Sequence, residues 1–142
     1  FRPCDGGPAR CHTGGMHLEI RPDSIAPPAA NYAHAVLTEG VKRWVHTAGV
    51  VPIAPDGTVP EAIGDQATTI WTNIAAMLDE AGMAAEHVIS VTTYVVVGED
   101  LGPVMAARDH FLEGRRIAST LVTVPALARP EWRMEIAVVA AK

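Results

Sequence analysis

The segment from 87 to 97, HVISVTTYVVV, constrains the possible folds more than any other stretch of this chain. Its β-branched residues favour a strand, and its nearly continuous apolar character is typical of a strand with both faces buried. Apolar residues recur at helical spacing on either side of it, from about 60 to 81 and from about 99 or 100 to 113. Gly82 and Gly114 are placed to end these two helices. The sequence therefore predicts one long inner strand between two amphipathic helices.

Shorter strands are predicted on both sides of this unit. Three precede the first helix, at 17–21, 33–38 and 42–48, and two more lie between 119 and 142. Glu39-Gly40, between the second and third strands, favours a β-hairpin. The order β-β-β-α-β-α-β-β predicts a two-layer α+β domain in which two helices cover one face of a single mixed sheet. The apolar strand residues suggest that neighbouring subunits cover the other face.

Composition limits the classes of partner. At 142 residues with 49% hydrophobic content, the chain is long enough for one domain with its own core. Its formal net charge of −5 argues against nucleic acid as a partner, because phosphate binding needs clustered Lys and Arg. No apolar run approaches the roughly 18–20 residues that cross a bilayer, and no segment near residue 1 is typical of a signal peptide. We therefore expect no membrane partner and a cytoplasmic location.

Residues 1–15 are expected to be an extension outside the fold, so that a single domain spans 16–142. They hold both cysteines, Cys4 and Cys11. These thiols could form a local disulfide or, with His12 and His17, part of a metal site, but they fall short of a zinc pattern. We interpret them as incidental and expect no metal site.

Glu135 is the first candidate for chemistry, since it lies in the middle of an apolar strand pattern. In a strand it shares a face with Arg133 and Ala137, whereas Met134 and Ile136 take the other face. A carboxylate among apolar residues costs free energy unless it is paired or hydrated. Glu135 is therefore either a catalytic group or a carboxylate that takes hydrogen bonds at a subunit contact.

Five segments resemble the Rid family (reactive intermediate deaminase, YjgF type), in the right order and over roughly residues 17–141. The matching stretches are NYAHAV at 31–36 ("PYSQAV" in the family), HTAGVVP at 46–52 ("F-x-S-G-Q-x-P"), Gln66 with NI at 73–74, Leu78 and AG at 81–82, Val88 with VTTYV at 91–95, and EI at 135–136 with VA at 139–140. Five such matches in order are hard to obtain by chance.

The resemblance implies a chorismate-mutase-like α+β fold, a homotrimer with ligand clefts between its subunits, and no metal or organic cofactor. It also implies a small-molecule substrate, a reactive enamine or imine such as 2-aminoacrylate. Glu135 is then expected to orient the attacking water, and Tyr32 to wall the pocket. Ser119 and Thr120 would offer hydroxyl or backbone N–H groups. Alternatively, Tyr32 is a loop aromatic packed on the sheet, and the two hydroxyl residues are plain strand residues.

The sequence departs from the family pattern where an Arg grips the substrate carboxylate. The family has P-A-R-S-T, whereas this chain reads RIAST at 116–120, so Ala118 falls where that Arg is expected. A small side chain cannot replace the bidentate, charge-assisted grip of a guanidinium. A shifted register could bring Arg115 or Arg116 into the cleft, and Arg108 of the second helix could supply a cationic contact. Otherwise Arg108 would extend to solvent.

The function expected from these residues is cofactor-independent deamination, by hydrolysis, of imines or enamines, including substrates that lack a carboxylate. The alternative is a non-catalytic trimeric module that binds a small metabolite in the same cleft. Ribonuclease activity, which has also been linked to the family, is the weakest alternative because the chain is acidic.

Overall fold

The computed structural model describes residues 16–142, in which the helices and strands follow the predicted order. The strands are β1 (Met16–Ile20), β2 (Ala35–Glu39), β3 (Trp44–His46), β4 (Val88–Val96), β5 (Ala118–Val124) and β6 (Met134–Ala141). The helices are α1 (Ile63–Glu80) and α2 (Leu101–Phe111), and a 3₁₀ turn at Ala85–His87 precedes β4. The proposed extension and its two cysteines lie outside the described residues.

Four strands form a mixed sheet in the order β3-β6-β4-β5. β4 is antiparallel to β6, with Tyr94 opposite Glu135, and parallel to β5, with Tyr94 also opposite Val122. The parallel pair is joined through α2, as a parallel connection requires a crossover. β1 and β2 form a separate two-stranded antiparallel sheet, and a bridge between Ala33 and Ala118 links the chain just before β2 to β5.

The core lies between the two helices and one face of the four-stranded sheet. Ile70, Ile74 and Leu78 recur at helical spacing on α1 and are almost completely buried. Every second residue of β6, from Met134 to Ala140, is buried in the same cluster. The structure therefore confirms the expected chorismate-mutase-like α+β fold, with two helices on one face of a mixed sheet. The expectation of a single sheet is wrong, because β1 and β2 pair only with each other.

The predicted hairpin between β2 and β3 is wrong. β2 pairs with β1, with Leu37 opposite Leu18, and β3 pairs with β6, with Val45 opposite Ala140. Gly40 does turn the chain, with a φ of 70°. The turn, however, carries the chain from one sheet to the other. Local sequence predicts the turn, whereas the partner of each strand depends on segments that are distant in sequence.

The second face of the four-stranded sheet is not covered by a helix from the described part of the chain. We call it the open face, and it presents Trp44, His46, Thr92, Tyr94, Thr120, Val122, Glu135, Ala137 and Val139. β4 was expected to be buried on both sides, but here most of its residues alternate between buried and half-buried. Trp44 and Val122 are 51% and 41% exposed. The open face thus combines exposed apolar residues with one carboxylate.

Candidate functional site

A pocket of about 360 Å³ opens along the outer edge of β5. We call it the β5 pocket. Four of the five predicted site residues line it, namely Tyr32, Arg108, Ser119 and Thr120. The rest of its wall consists of Ala30, Leu101, Met105 and Leu121. The loop before β2, one side of α2 and strand β5 meet here, so three separate parts of the chain build one concave surface.

Arg108 is a buried part of the pocket wall, with a side chain that is 8% exposed. Its Nη2 and Nε donate to Asp109 Oδ1 at 2.9 and 3.1 Å. Its Nη1 donates to Ser119 Oγ at 3.3 Å, and Nη2 also donates to the carbonyl oxygen of Asn31 at 3.3 Å. The interpretation of Arg108 as a side chain that extends to solvent is therefore wrong. The guanidinium is held in place, and Asp109 compensates much of its charge.

The two arginines nearest to Ala118 in sequence do not enter the β5 pocket. Arg116 donates to the Tyr32 carbonyl oxygen at 2.9 Å and to Glu19 Oε1 at 3.2 Å. Arg115 pairs with Glu113 at 3.0 Å. Both line a different pocket, on the β1 side of the molecule. A shifted register that brings either of them into the cleft is thus not observed, and Arg108 is the guanidinium that the β5 pocket contains.

Ser119 and Thr120 reach the β5 pocket from opposite faces of the sheet, because neighbouring strand residues alternate. Ser119 faces the helices, where it meets Arg108. Thr120 lies on the open face, opposite Thr92. Both line one pocket because β5 is the edge strand of its sheet. Tyr32 closes the pocket from the loop, with its ring in edge-to-face contact with the His34 ring at a centroid distance of 5.6 Å.

Glu135 lies outside the β5 pocket, on the open face. Its neighbours there are Tyr94 on β4 and Gly49 on the other side of β6. Two strand spacings, about 10 Å, separate it from Val122 on β5. Glu135 is half-buried, and its carboxylate makes no hydrogen bond or ion pair within residues 16–142. The structure thus brings four predicted site residues together and holds the fifth apart.

The β5 pocket and the region around Glu135 on the open face can do different chemistry. The β5 pocket offers a guanidinium, two hydroxyls and a phenol, which can orient a polar substrate. The open face offers a carboxylate that can accept a proton from water. Among residues 16–142, no group of three or more His, Cys, Asp or Glu side chains is arranged to hold a metal ion. In the same range, no helix has the length and apolar character needed to cross a membrane.

Three residues around the site were not predicted. Asp109 follows Arg108 directly, and adjacent helix residues do not normally face each other, so no spacing signal announces their ion pair. Asn31 contributes its backbone oxygen to Arg108, and its Nδ2 donates to Asp109 Oδ1 at 3.5 Å. Gly49 is visible in the sequence as part of the 46–52 motif, but its contact with Glu135 depends on pairing across 86 positions.

Comparisons with known proteins give the family. A family model described as endoribonuclease L-PSP matches residues 23–142. A RutC family protein of Aquifex aeolicus (strain VF5) is 26% identical over 126 residues, which cover 87% of this chain and 98% of that protein. A RutC family protein of Haemophilus influenzae is 30% identical over 99 residues, which cover 69% of this chain and 71% of that protein.

A solved structure supports the same assignment. It is that of YyfB from Yersinia pestis, described as a protein of unknown function of the conserved Rid protein family. It superposes with a TM-score of 0.80 at 28% identity and covers 89% of this chain and 98% of the other. The chain therefore belongs to the endoribonuclease L-PSP family, the group that includes the Rid and RutC proteins.

Proposed function

We propose that this protein is a cofactor-independent hydrolase of reactive imines or enamines that releases ammonia. The observation that carries the proposal is the Glu135 carboxylate, which is half-buried and has no protein partner among the described residues. Such a group keeps its oxygens free for a water molecule. Membership of a family that includes Rid proteins favours this chemistry over other reactions of a lone carboxylate.

The proposed reaction uses Glu135 first as a base and then as an acid. Glu135 takes a proton from water while the water oxygen bonds to the C=N carbon of the imine. Glu135 passes this proton to the imine nitrogen, which gives a carbinolamine. It then takes the hydroxyl proton and delivers it to the amino nitrogen as the C–N bond breaks, so that the carbonyl product forms and ammonia leaves. An enamine is first protonated on carbon to give the imine. Proton transfer by a positioned side chain typically contributes 10²–10⁴-fold to the rate.

We place the complete site between copies of the chain in a homotrimer. In one copy, Glu135 and the β5 pocket are separated, so a small substrate that contacts both needs the pocket of a neighbouring copy. Exposed apolar residues on the open face, Trp44 and Val122, support such a contact. One face of the β1–β2 sheet adds further exposed apolar residues that could contact a neighbouring copy. Met16, Leu18, Ile20 and Leu37 are 51%, 41%, 39% and 43% exposed.

The preferred substrates are proposed to lack a carboxylate next to the imine. Ala118 replaces the Arg that grips this carboxylate in the family, and the guanidinium of Arg108 is already paired with Asp109. An anionic substrate therefore meets a nearly neutral wall. We expect 2-aminoacrylate to be hydrolysed slowly or not at all.

The test is a panel of imines generated in situ by oxidases, from amino acids and from amines without a carboxylate. The protein competes with semicarbazide for each imine, and loss of the semicarbazone measures hydrolysis. We expect acceleration for imines without a carboxylate, and a fall of about 100-fold or more for Glu135→Gln. Glu61→Gln, which alters an exposed carboxylate, is the matched control and should keep full activity.

Two outcomes would contradict the proposal. The first is an unchanged rate in Glu135→Gln, which would remove Glu135 from the mechanism. The second is the absence of acceleration for every imine, together with saturable binding of an imine analogue. That result would favour the non-catalytic binding module.

A further inference from the structure

Gly49 lies so close to the Glu135 carboxyl group that no side chain fits between them. A Cβ placed on Gly49 would be 1.6 Å from Glu135 Oε1, 2.5 Å from Cδ and 2.8 Å from Cγ. Real Cβ atoms essentially never approach another heavy atom within 3.0 Å. The carboxyl group therefore occupies the space that the Cβ of any other residue at position 49 would need.

The backbones on both sides of this contact are fixed to each other. The Val50 N–H donates to the Ile136 carbonyl oxygen at 2.7 Å, and the Ile136 N–H donates to the Val50 carbonyl oxygen at 3.1 Å. Further along, Thr47 and Val138 exchange two hydrogen bonds of 3.1 and 3.0 Å. A methyl group at position 49 would therefore displace the Glu135 side chain, because the two backbones cannot separate without losing these bonds.

The backbone conformation of Gly49 does not explain why this residue is glycine. Glycines with positive φ, a conformation in which other residues are strained, occur elsewhere in the described chain, at positions 40, 57, 82, 98 and 114. Gly49 is not among them. The missing side chain at position 49 therefore leaves a space, and the group that fills it is the Glu135 carboxyl.

We propose that Gly49 is a positioning residue for Glu135, an inference that rests on the catalytic role proposed for that carboxylate. With no Cβ at 49, the carboxyl group lies against the backbone on one side and has Tyr94 as its cross-strand neighbour on the other. A methyl group would force Glu135 into another rotamer and move its oxygens. A misplacement of about 1 Å in a reacting group can cost roughly 100-fold in rate.

The experiment introduces Gly49→Ala into three backgrounds: wild type, Glu135→Gln and Glu135→Ala. Gln has the shape of Glu, so the added methyl meets the same obstacle, whereas Ala leaves the space empty. Because the displaced carboxyl group is the far end of a flexible side chain, we expect the thermal midpoint to fall by only about 1–3 °C in the first two backgrounds and to stay unchanged in the third. Gly64→Ala is the matched control. Its Cβ would approach Pro103 and not Glu135, so its shift should be the same in all three backgrounds.

Turnover provides the second readout. Gly49→Ala in the wild-type background should lower kcat for the best imine by about 10- to 100-fold, with KM changed by less than about threefold, because binding groups in the β5 pocket are untouched. A wild-type kcat in Gly49→Ala would overturn the proposal. If the wild-type protein hydrolyses no imine, the proposed function fails by itself. The thermal midpoints then test the contact between Gly49 and Glu135. A shift from Gly49→Ala that depends on the residue at 135 supports the contact, and an equal shift in all three backgrounds overturns it.

Discussion

Arg108 and Asp109 share one ion pair in the wall of the β5 pocket, and this pair decides how the pocket treats an anionic substrate. Asp109 Oδ1 accepts two hydrogen bonds from the guanidinium, and the Asp109 side chain is 39% exposed. A substrate carboxylate would have to compete with this partner. The pocket therefore contains a guanidinium but only a weak positive field.

Asp109→Asn tests this idea. The amide cannot neutralise Arg108, so the variant should bind imines that carry a carboxylate more tightly, with KM lowered by about three- to tenfold. KM for an imine without a carboxylate should stay the same. Steady-state kinetics on both substrate classes measures the difference. Glu113→Gln is the control, since it breaks a comparable pair with Arg115 outside the pocket. Equal changes for both classes would contradict the prediction.

At this scale, sequence predicts which residues share a pocket wall better than it predicts their contacts. The motif around NYAHAV and the RIAST segment led to Tyr32, Ser119 and Thr120, and all three line one pocket. The pairing of Arg108 with Asp109 was not predictable, because it depends on side-chain rotamers within one turn of α2. The separation of Glu135 from the pocket was not predicted either, since strand alternation gives its face but not the strand order between β6 and β5.

Gln66 of α1 links that helix to the segment that leads into β6. It is 1% exposed, and its Nε2 donates to the carbonyl oxygens of Pro60 at 2.8 Å and Glu131 at 2.9 Å. Its Oε1 accepts from the Arg133 N–H at 3.0 Å. Arg133 stands just before β6, two residues from Glu135. A single buried amide thus connects the helical layer to the beginning of the strand that carries the carboxylate.

Gln66→Leu should lower the free energy of unfolding by roughly 1–3 kcal/mol, because it leaves two carbonyl oxygens and one N–H in a partly buried region without their partner. Urea unfolding monitored by tryptophan fluorescence measures the loss. Thr72→Ala, an exposed change on the same helix, should stay within about 0.5 kcal/mol of wild type. A Gln66→Leu protein as stable as wild type would show that the three bonds contribute nothing net.

For helices and strands, the sequence predicts where each element begins and ends, but not which strands pair. The bounds of α1, α2 and β4 follow from apolar spacing, glycines and β-branched runs, and they differ from the structure by only a few residues. The partner of β3 could not be predicted in this way. β3 has three residues, and its pairing with β6 joins positions almost a hundred residues apart. The local turn at Gly40 therefore favoured the wrong neighbour.

In the proposed homotrimer, Glu135 of one copy would lie next to the β5 pocket of another copy, although the two are separated within a single copy. A mixture of Glu135→Gln and Arg108→Ala proteins, unfolded and refolded together, tests this. If each site takes Glu135 from one copy and Arg108 from another, random mixing leaves about one site in four intact, so up to about a quarter of wild-type imine hydrolysis should return. Each variant refolded alone is the control. Light scattering should give about three times the chain mass of 15.0 kDa. No recovery in assemblies of that mass would place both groups in a single copy.

The position of β6 also bears on synthesis. This strand lies between β3 and β4, yet it is made after both of them, as residues 134–141. A ribosome releases roughly 5–20 residues per second. β6 is completed 17 residues after the end of β5, so for about 1–3 s β4 has only β5 as a neighbour in its sheet, and β3 has none. During that interval the nascent chain presents unpaired strand edges, which can pair with other chains until the last strand emerges.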